Sequence, residues 1–159
     1  MRYLTDSHTM KAVDNCSIHE FGIPSVVLME RAALGVSAFL RKHAEHNNKK
    51  TGIKVVCVCG NNGADGLAAA RQLNEDGIDV HVVFAGTSEG TDEYRLQKSI
   101  VGNLGIDCVE YDGNIDFSEY DYIIDAIFGI GLSRAVEGRY AQVIEAINKA
   151  RENPDTKII

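Results

Sequence analysis

The sequence lacks a surplus of basic residues. Its 159 residues include 16 Lys and Arg against 23 Asp and Glu, which gives a formal net charge of −7. Binding to a nucleic-acid backbone depends on clustered Lys and Arg that release counterions. We therefore expect no nucleic-acid partner.

Long apolar runs are also absent. No segment approaches the roughly 18 uninterrupted apolar residues that a transmembrane helix needs, and the opening residues, MRYLTDSHTMKAVD, contain no apolar signal-peptide core. These absences predict a cytoplasmic protein without a membrane partner. The four cysteines form no C-x-x-C pair, which favours reduced thiols buried as small apolar side chains.

What the sequence does have is an alternation of apolar runs and helical segments. Its length and 45% hydrophobic content predict a single domain over residues 1–159. One helix is expected from Thr5 or Asp6 to about Glu20, and a second begins near Pro24. Four apolar runs follow, and the helices between and after them are predicted at about 65–76, 91–104 and 139–151. The runs read IKVVCVC, DVHVVFA, IDCVE and YDYIIDAIF.

This order of elements predicts an α/β fold. We expect a three-layer αβα, Rossmann-like, doubly wound and mostly parallel sheet with two N-terminal helices. The last residues, NPDTKII, begin an apolar run that is too short for an ordinary strand. We therefore expect the fifth strand, and with it the domain, to be truncated on its C-terminal side.

Two glycine-rich loops follow predicted strands. One is Gly60–Gly66, GNNGADG, and the other follows the fourth strand over DAIFGIGLSRAVEGRY. If the strand order is 3-2-1-4-5, both loops flank the crevice in which doubly wound sheets bind ligands. Glycine allows close approach of the backbone to a ligand, and the N–H groups at a helix start favour an anion.

Asn62 and Asp125 would be oxygen donors on opposite sides of this crevice, which suits a hard cation such as potassium. Asp125, at a strand end, is expected to be poorly solvated.

The spacing of the glycines argues against two common nucleotide sites. G-x-x-G-x-x-G is neither the dinucleotide fingerprint G-x-G-x-x-G nor a phosphate-binding G-x-x-x-x-G-K-[ST] loop, and the second run ends without an acid for a ribose. A conventional hydride-transferring oxidoreductase is therefore disfavoured. A purely structural interpretation also exists, in which NNG is a turn with left-handed residues and Asp65 caps the following helix.

Several linked segments resemble one known family. GNNGADGLAAARQL resembles the GNNGGDG-l-x-x-AR-x-L signature of the YjeF N-terminal domain, the NAD(P)HX epimerases, and LMERAA, DAIFGIGLSR and IEAIN match further family segments in the same order. The resemblance covers essentially the whole chain. It implies interconversion of the R and S epimers of hydrated NADH and NADPH, a repair of damaged nicotinamide nucleotides.

The resemblance also implies roles for individual residues. Asn62 and Asp125 would bind a potassium ion. Asp125 is also a candidate catalytic residue, on the hypothesis that a carboxylate stabilises a cationic, iminium-like intermediate of the reaction. The implied partners are the dinucleotide substrate, a fused or separate ADP- or ATP-dependent dehydratase and, as an open alternative, a second copy of the chain in a homodimer. The residues implied to bind the substrate are Asn61, Asn62, Gly63, Ala64, Asp65, Gly129, Ile130, Gly131, Leu132, Ser133, Arg134, Ala135 and Tyr140.

The chain departs from the family pattern at two places. Ala64 replaces a usual glycine, which is tolerable only if that residue has a negative φ. The family also continues into an Asp-x-Pro-Ser-Gly segment, whose aspartate is a second candidate for the catalytic role and whose serine helps to bind potassium. Activity of the chain as it stands is therefore left open. The alternative function is a non-catalytic nucleotide-binding or protein-interaction module of the same fold, since the domain type also occurs in an enhancer of messenger RNA decapping and in the apolipoprotein A-I binding protein.

Overall fold

Five parallel strands form the centre of the molecule. The computed structural model of the chain describes residues 5–44, 52–57, 60–86 and 89–159. The strands are β1 (Ile53–Cys57), β2 (Val80–Phe84), β3 (Asp107–Glu110), β4 (Tyr122–Ala126) and β5 (Lys157–Ile158). They pair in the order β3-β2-β1-β4-β5, and every pairing is parallel. The predicted α/β class is therefore confirmed, and the strand order is the one under which the two glycine-rich loops flank one crevice, with the reversal between β1 and β4.

Helices cover both faces of this sheet. They are α1 (Ser7–His19), α2 (Ser25–Ala44), α3 (Asn61–Glu75), α4 (Asp92–Asn103) and α5 (Arg139–Ala150), with a short 3-10 turn at Phe117–Glu119. One core cluster joins β-strand side chains such as Val55 and Val82 to α2, α3 and α4. The other joins Val83 and Ile123 to α5. Alternate side chains of each strand enter opposite cores, so the three predicted layers are present.

Helix α3 begins earlier than predicted. The sequence placed residues 60–66 in a loop and started the helix at about Asp65, whereas the helix runs from Asn61, with Gly60 as its N-cap residue at φ +136°. That glycine turns the chain from the strand into the helix without a side-chain cap, so the asparagines after it are already helical. The turn interpretation of NNG and the role of Asp65 as a cap are therefore wrong. Ala64 lies inside the helix, where φ is negative, and its substitution for glycine is tolerated.

Polar side chains join α2 to α3. The Gln72 side chain, nearly fully buried, donates to Glu30 Oε1 at 2.8 Å and accepts from the buried Ser37 hydroxyl at 2.7 Å. Arg71 donates to the second oxygen of Glu30 at 2.5 Å. This network fixes the α3 register against α2, and with it the position of the α3 N-terminus.

The remaining predictions concern ends of elements. β1 was predicted to extend to Cys59, but residues 58 and 59 lie outside the described part of the chain. β5 is only two residues long, as the short apolar run indicated. Among the described residues, no helix combines the length and the apolar character that crossing a membrane would require.

Candidate functional site

The site is built at the edge of the sheet where β1 and β4 end side by side. In their parallel register Val56 pairs with Asp125 and Cys57 with Ala126. The chain after β1 enters α3 through Gly60, and the chain after β4 continues through the second glycine-rich loop. Both segments therefore leave the sheet at the point where the strand order reverses, which is the usual place for a ligand in such a fold.

A cleft of about 800 Å³ lies between these two segments. Gly129 comes particularly close to the other side, because a Cβ atom added to it would lie 3.4 Å from Asn62 Cβ. Among the predicted substrate-binding residues, the cleft is lined by Asn61, Asn62, Gly63, Asp65, Gly129, Ile130, Gly131, Leu132, Ser133 and Arg134.

A smaller cavity of about 220 Å³ lies between α2, α3 and β4. Asn62, Asp65 and Asp125 all line it, next to small apolar residues of α2. Asn62 and Asp65 also line the larger cleft, so the two spaces share one wall. The structure thus brings Asn62 and Asp125, which are 63 positions apart in the sequence, to one cavity.

Asp125 is more exposed than the sequence indicated. We expected a poorly solvated carboxylate at a strand end, and this expectation is wrong because the residue is exposed. The Asp125 N–H donates to the Ile159 carbonyl at 2.9 Å, so the backbone of this edge is paired while the side chain remains exposed. One carboxylate oxygen accepts a hydrogen bond from the Ile127 N–H at 3.0 Å. The other oxygen makes no hydrogen bond within the described part of the chain.

Among the carboxyl groups that line the two spaces, Asp65 has the most strongly shifted pKa. It lies in the second turn of α3 and lines both spaces. Burial, and secondarily the nearby carboxylate of Asp14, raise the pKa of Asp65 from an ordinary 3.8 to about 6. A carboxyl group that titrates close to neutral pH can both donate and accept a proton, and such groups concentrate at functional sites.

Three predicted substrate-binding residues line neither space. Ala64 is fully buried in the core between α3 and the sheet. Ala135 is exposed, beyond the part of the loop that lines the cleft. Tyr140 packs edge-on against Phe128 at a centroid distance of 5.4 Å, and its hydroxyl oxygen lies 2.6 Å from where a Cβ atom on Gly86 would be.

Two cleft residues were not anticipated from the sequence. Lys11 and Asp14, both on α1, line the larger cleft beside the N-terminus of α3. They are exposed charged residues on a helix, and no local motif distinguishes them from an ordinary solvated face. Only the packing of α1 against the crevice could have identified them.

The donor set is compatible with a hard monovalent cation. Asn62 and Asp125 both line the smaller cavity, and their side chains carry amide and carboxylate oxygens, which suit hard cations. Two side chains provide only part of a coordination shell, and the described ranges contain no group of three or more His, Cys, Asp or Glu residues that could hold a metal ion. The predicted potassium site therefore fits the residues present, with its other ligands left to backbone oxygens, water or substrate.

Comparison with known proteins identifies relatives along most of the chain. The family model described as YjeF-related protein N-terminus matches residues 25–158. The NAD(P)H-hydrate epimerase of Oenococcus oeni is 42% identical over 139 residues, which are 86% of this chain and 64% of that protein. The epimerase of Limosilactobacillus fermentum is 43% identical over 142 residues, 89% of this chain and 66% of that protein. The chain thus covers slightly less than two thirds of these relatives' own length.

Two less similar proteins also match most of the chain. The Bifunctional NAD(P)H-hydrate repair enzyme Nnr of Thermofilum pendens is 33% identical over 146 residues, 87% of this chain but 27% of that protein. The crystal structure of yeast YNL200c superposes with a TM-score of 0.85 at 22% identity, covering 99% of this chain and 68% of the yeast chain. At that identity the superposition supports the fold alone. Because the family match spans five strands and four of the five helices, the chain belongs to the family of YjeF-related protein N-terminal domains.

Proposed function

We propose that the protein is an NAD(P)H-hydrate epimerase, which interconverts the R and S epimers of hydrated NADH and NADPH. The observation that carries the proposal is the convergence of Asn62, Asp65 and Asp125 on one small cavity that opens beside a glycine-lined cleft. Relatives named as epimerases at 42% and 43% identity support it.

The two spaces suit the two ends of such a substrate. The larger cleft offers glycine backbone and the uncapped N-terminus of α3, which favour phosphate groups. The smaller cavity offers carboxylates, which favour positive charge. A hydrated nicotinamide ring in the smaller cavity would thus lie beside Asp65 and Asp125 while its phosphates extend through the larger cleft.

Epimerisation requires the C–O bond of the hydrated carbon to break and re-form. The leaving hydroxyl takes up a proton and departs as water, and the electron pair of the ring nitrogen then forms an iminium cation. Water adds to the opposite face and returns a proton, so nothing is consumed. Asp65, with a pKa of about 6, is suited to donate and recover that proton. The negative charge of Asp125 would stabilise the cation, as charges oriented in advance at a developing charge generally do.

This proposal includes four further predictions. The family resemblance implies the potassium ion, the dehydratase partner and the homodimer, and the cytoplasmic location is predicted from the sequence composition. Potassium at Asn62 and Asp125 would orient substrate oxygens. Replacing potassium with sodium in the buffer tests the effect of the ion on the epimerisation rate, because the charges of the protein stay the same.

The test is direct. Purified R epimer of hydrated NADH is given to the full-length protein, and formation of the S epimer is followed by chromatography in potassium and in sodium buffers. We expect conversion well above the spontaneous rate, and faster in potassium. A rate equal to the spontaneous background would contradict the proposal and favour the non-catalytic binding module.

A further inference from the structure

Helix α1 packs against the rest of the molecule without burying any residue in the core. None of its residues is buried, so the core does not account for its position. Two of its side chains, Lys11 and Asp14, nevertheless line the larger cleft. These residues are three apart and so lie on one face of the helix. The influence of Asp14 on the pKa of Asp65 is a second sign that this face of α1 lies toward the start of α3.

The larger cleft contains two cationic side chains from different elements. Lys11 comes from α1 and Arg134 from the loop after β4. Both are exposed, and across the described residues neither forms a hydrogen bond or an ion pair. Their donors are therefore available to a ligand, and both residue types bind phosphate oxygens well.

The cationic side chains are confined to the larger cleft. Lys11 and Arg134 line only that cleft, whereas Asp125 lines only the smaller cavity and Asp65 lines both spaces. Asp14 and Asp65 oppose an anion in the larger cleft, so an anion bound there would lie closer to Lys11 and Arg134 than to these carboxylates. The uncapped N–H groups of α3 begin at the same cleft, so an anionic group between Lys11 and Arg134 would meet donors from three elements.

We propose that Lys11 is a ligand-contacting residue that binds the phosphate groups of a dinucleotide in the larger cleft, and that α1 is therefore part of the ligand site. This inference rests on the proposed function in taking a phosphate-bearing dinucleotide as the ligand. The family match begins at residue 25, so α1 lies outside the region to which it applies.

Titration calorimetry with NADPH tests the inference in the full-length protein. Lys11→Ala should weaken NADPH binding roughly three- to tenfold, as expected for one solvent-accessible charge contact. Lys11→Arg should restore most of the affinity, because it keeps the charge. The matched control is Lys149→Ala, an exposed lysine on α5 that lines neither space, and it should bind as the unchanged protein does.

A second probe identifies the part of the ligand that Lys11 contacts. Binding of nicotinamide riboside, which carries no phosphate, should be equally weak in the unchanged protein and in Lys11→Ala. The inference would be overturned if Lys11→Ala and Lys149→Ala lost NADPH affinity equally, or if neither variant lost any. Absence of NADPH binding to the unchanged protein would overturn it as well.

The epimerase assay separates this inference from the proposed function. If the protein converts the R epimer and Lys11→Ala raises KM with kcat unchanged, both stand. If conversion proceeds with the same KM in Lys11→Ala, only the inference fails. If no conversion occurs but Lys11→Ala still weakens NADPH binding selectively, the proposed function fails and the phosphate contact stands.

Discussion

At the scale of single residues, Asp125 has two roles that substitution can separate. One carboxylate oxygen holds the turn after β4 by accepting from the Ile127 N–H, and the negative charge is the part available to substrate or cation. Asp125→Asn keeps an oxygen acceptor for that turn, whereas Asp125→Ala removes it. We expect Asp125→Asn to change the free energy of unfolding by less than about 0.5 kcal/mol while lowering the epimerisation rate by about tenfold or more.

The measurements are urea unfolding and the chromatographic epimer assay on both variants. Asp125→Ala should lose activity and, in addition, about 1 kcal/mol of stability from the lost turn hydrogen bond. Normal epimerisation by Asp125→Asn would show that the charge of Asp125 is not required.

Asp65 makes stability depend on pH in an unusual direction for an aspartate. Its pKa is raised from 3.8 to about 6 in the folded chain, so between these values the folded state binds more protons than the unfolded state. Stability contributed by the protonated group is complete below about pH 4 and is lost as the pH rises through about 6. Asp65→Asn removes this loss and should stabilise the chain at neutral pH by on the order of 1 kcal/mol, after allowance for solvent screening.

Urea unfolding of Asp65→Asn and of the unchanged protein at about pH 4.5 and about pH 7.5 measures this effect. The stability difference between the two proteins should be larger at the higher pH. Glu137→Gln, at an exposed carboxyl group beyond the cleft, is the control and should show no such trend. A pH-independent difference for Asp65→Asn would mean that the carboxyl group ionises normally in the folded chain.

At the scale of elements, the α2–α3 network determines where the site's helix lies. The Gln72 amide joins buried Ser37 to Glu30, so its removal breaks two hydrogen bonds between the helices. We expect Gln72→Ala to lower the free energy of unfolding by about 2 kcal/mol, since each lost hydrogen bond costs about 1 kcal/mol. The exposed Gln142→Ala on α5 should cost less than about 0.5 kcal/mol, and equal costs in urea unfolding would show that the network does not stabilise the helix pair.

The sequence predicted elements better than it predicted the junction that carries the site. Alternating apolar runs indicated the strands, and right-handed connections favoured a doubly wound sheet, because both follow from local patterning and chain geometry. The start of α3 was misplaced because Asn and Gly next to one another favour turns locally. In the folded chain the single positive φ of Gly60 makes the whole turn, which frees Asn61 and Asn62 to be helical.

At the scale of the whole molecule, the site depends on contacts that no local pattern encodes. Asn62 and Asp125 could be placed together because the carboxyl ends of neighbouring parallel strands share one edge. The exposure of the Asp125 side chain depends instead on which segments pack around the end of β4. The approach of Lys11 and Asp14 depends on the packing of α1, a helix without a buried residue. Neighbours distant in sequence determine these features, so no local pattern predicts them.

The central strands are buried and α1 is not, and this difference predicts that local stability varies across the molecule. β1 and β4 contribute fully or nearly fully buried side chains such as Val55 and Ile123, so their amides should exchange hydrogen only through global unfolding. α1 contributes none, so its amides should exchange through local opening at much lower free energy. Native-state hydrogen exchange measures both, and equal protection of α1 and β1 would contradict this account.

NADPH should change the exchange of α1 if Lys11 binds the phosphates. Saturating NADPH should increase protection of the α1 amides, because ligand binding stabilises the segments that it contacts. Protection of α4, which lines neither space, should stay nearly unchanged.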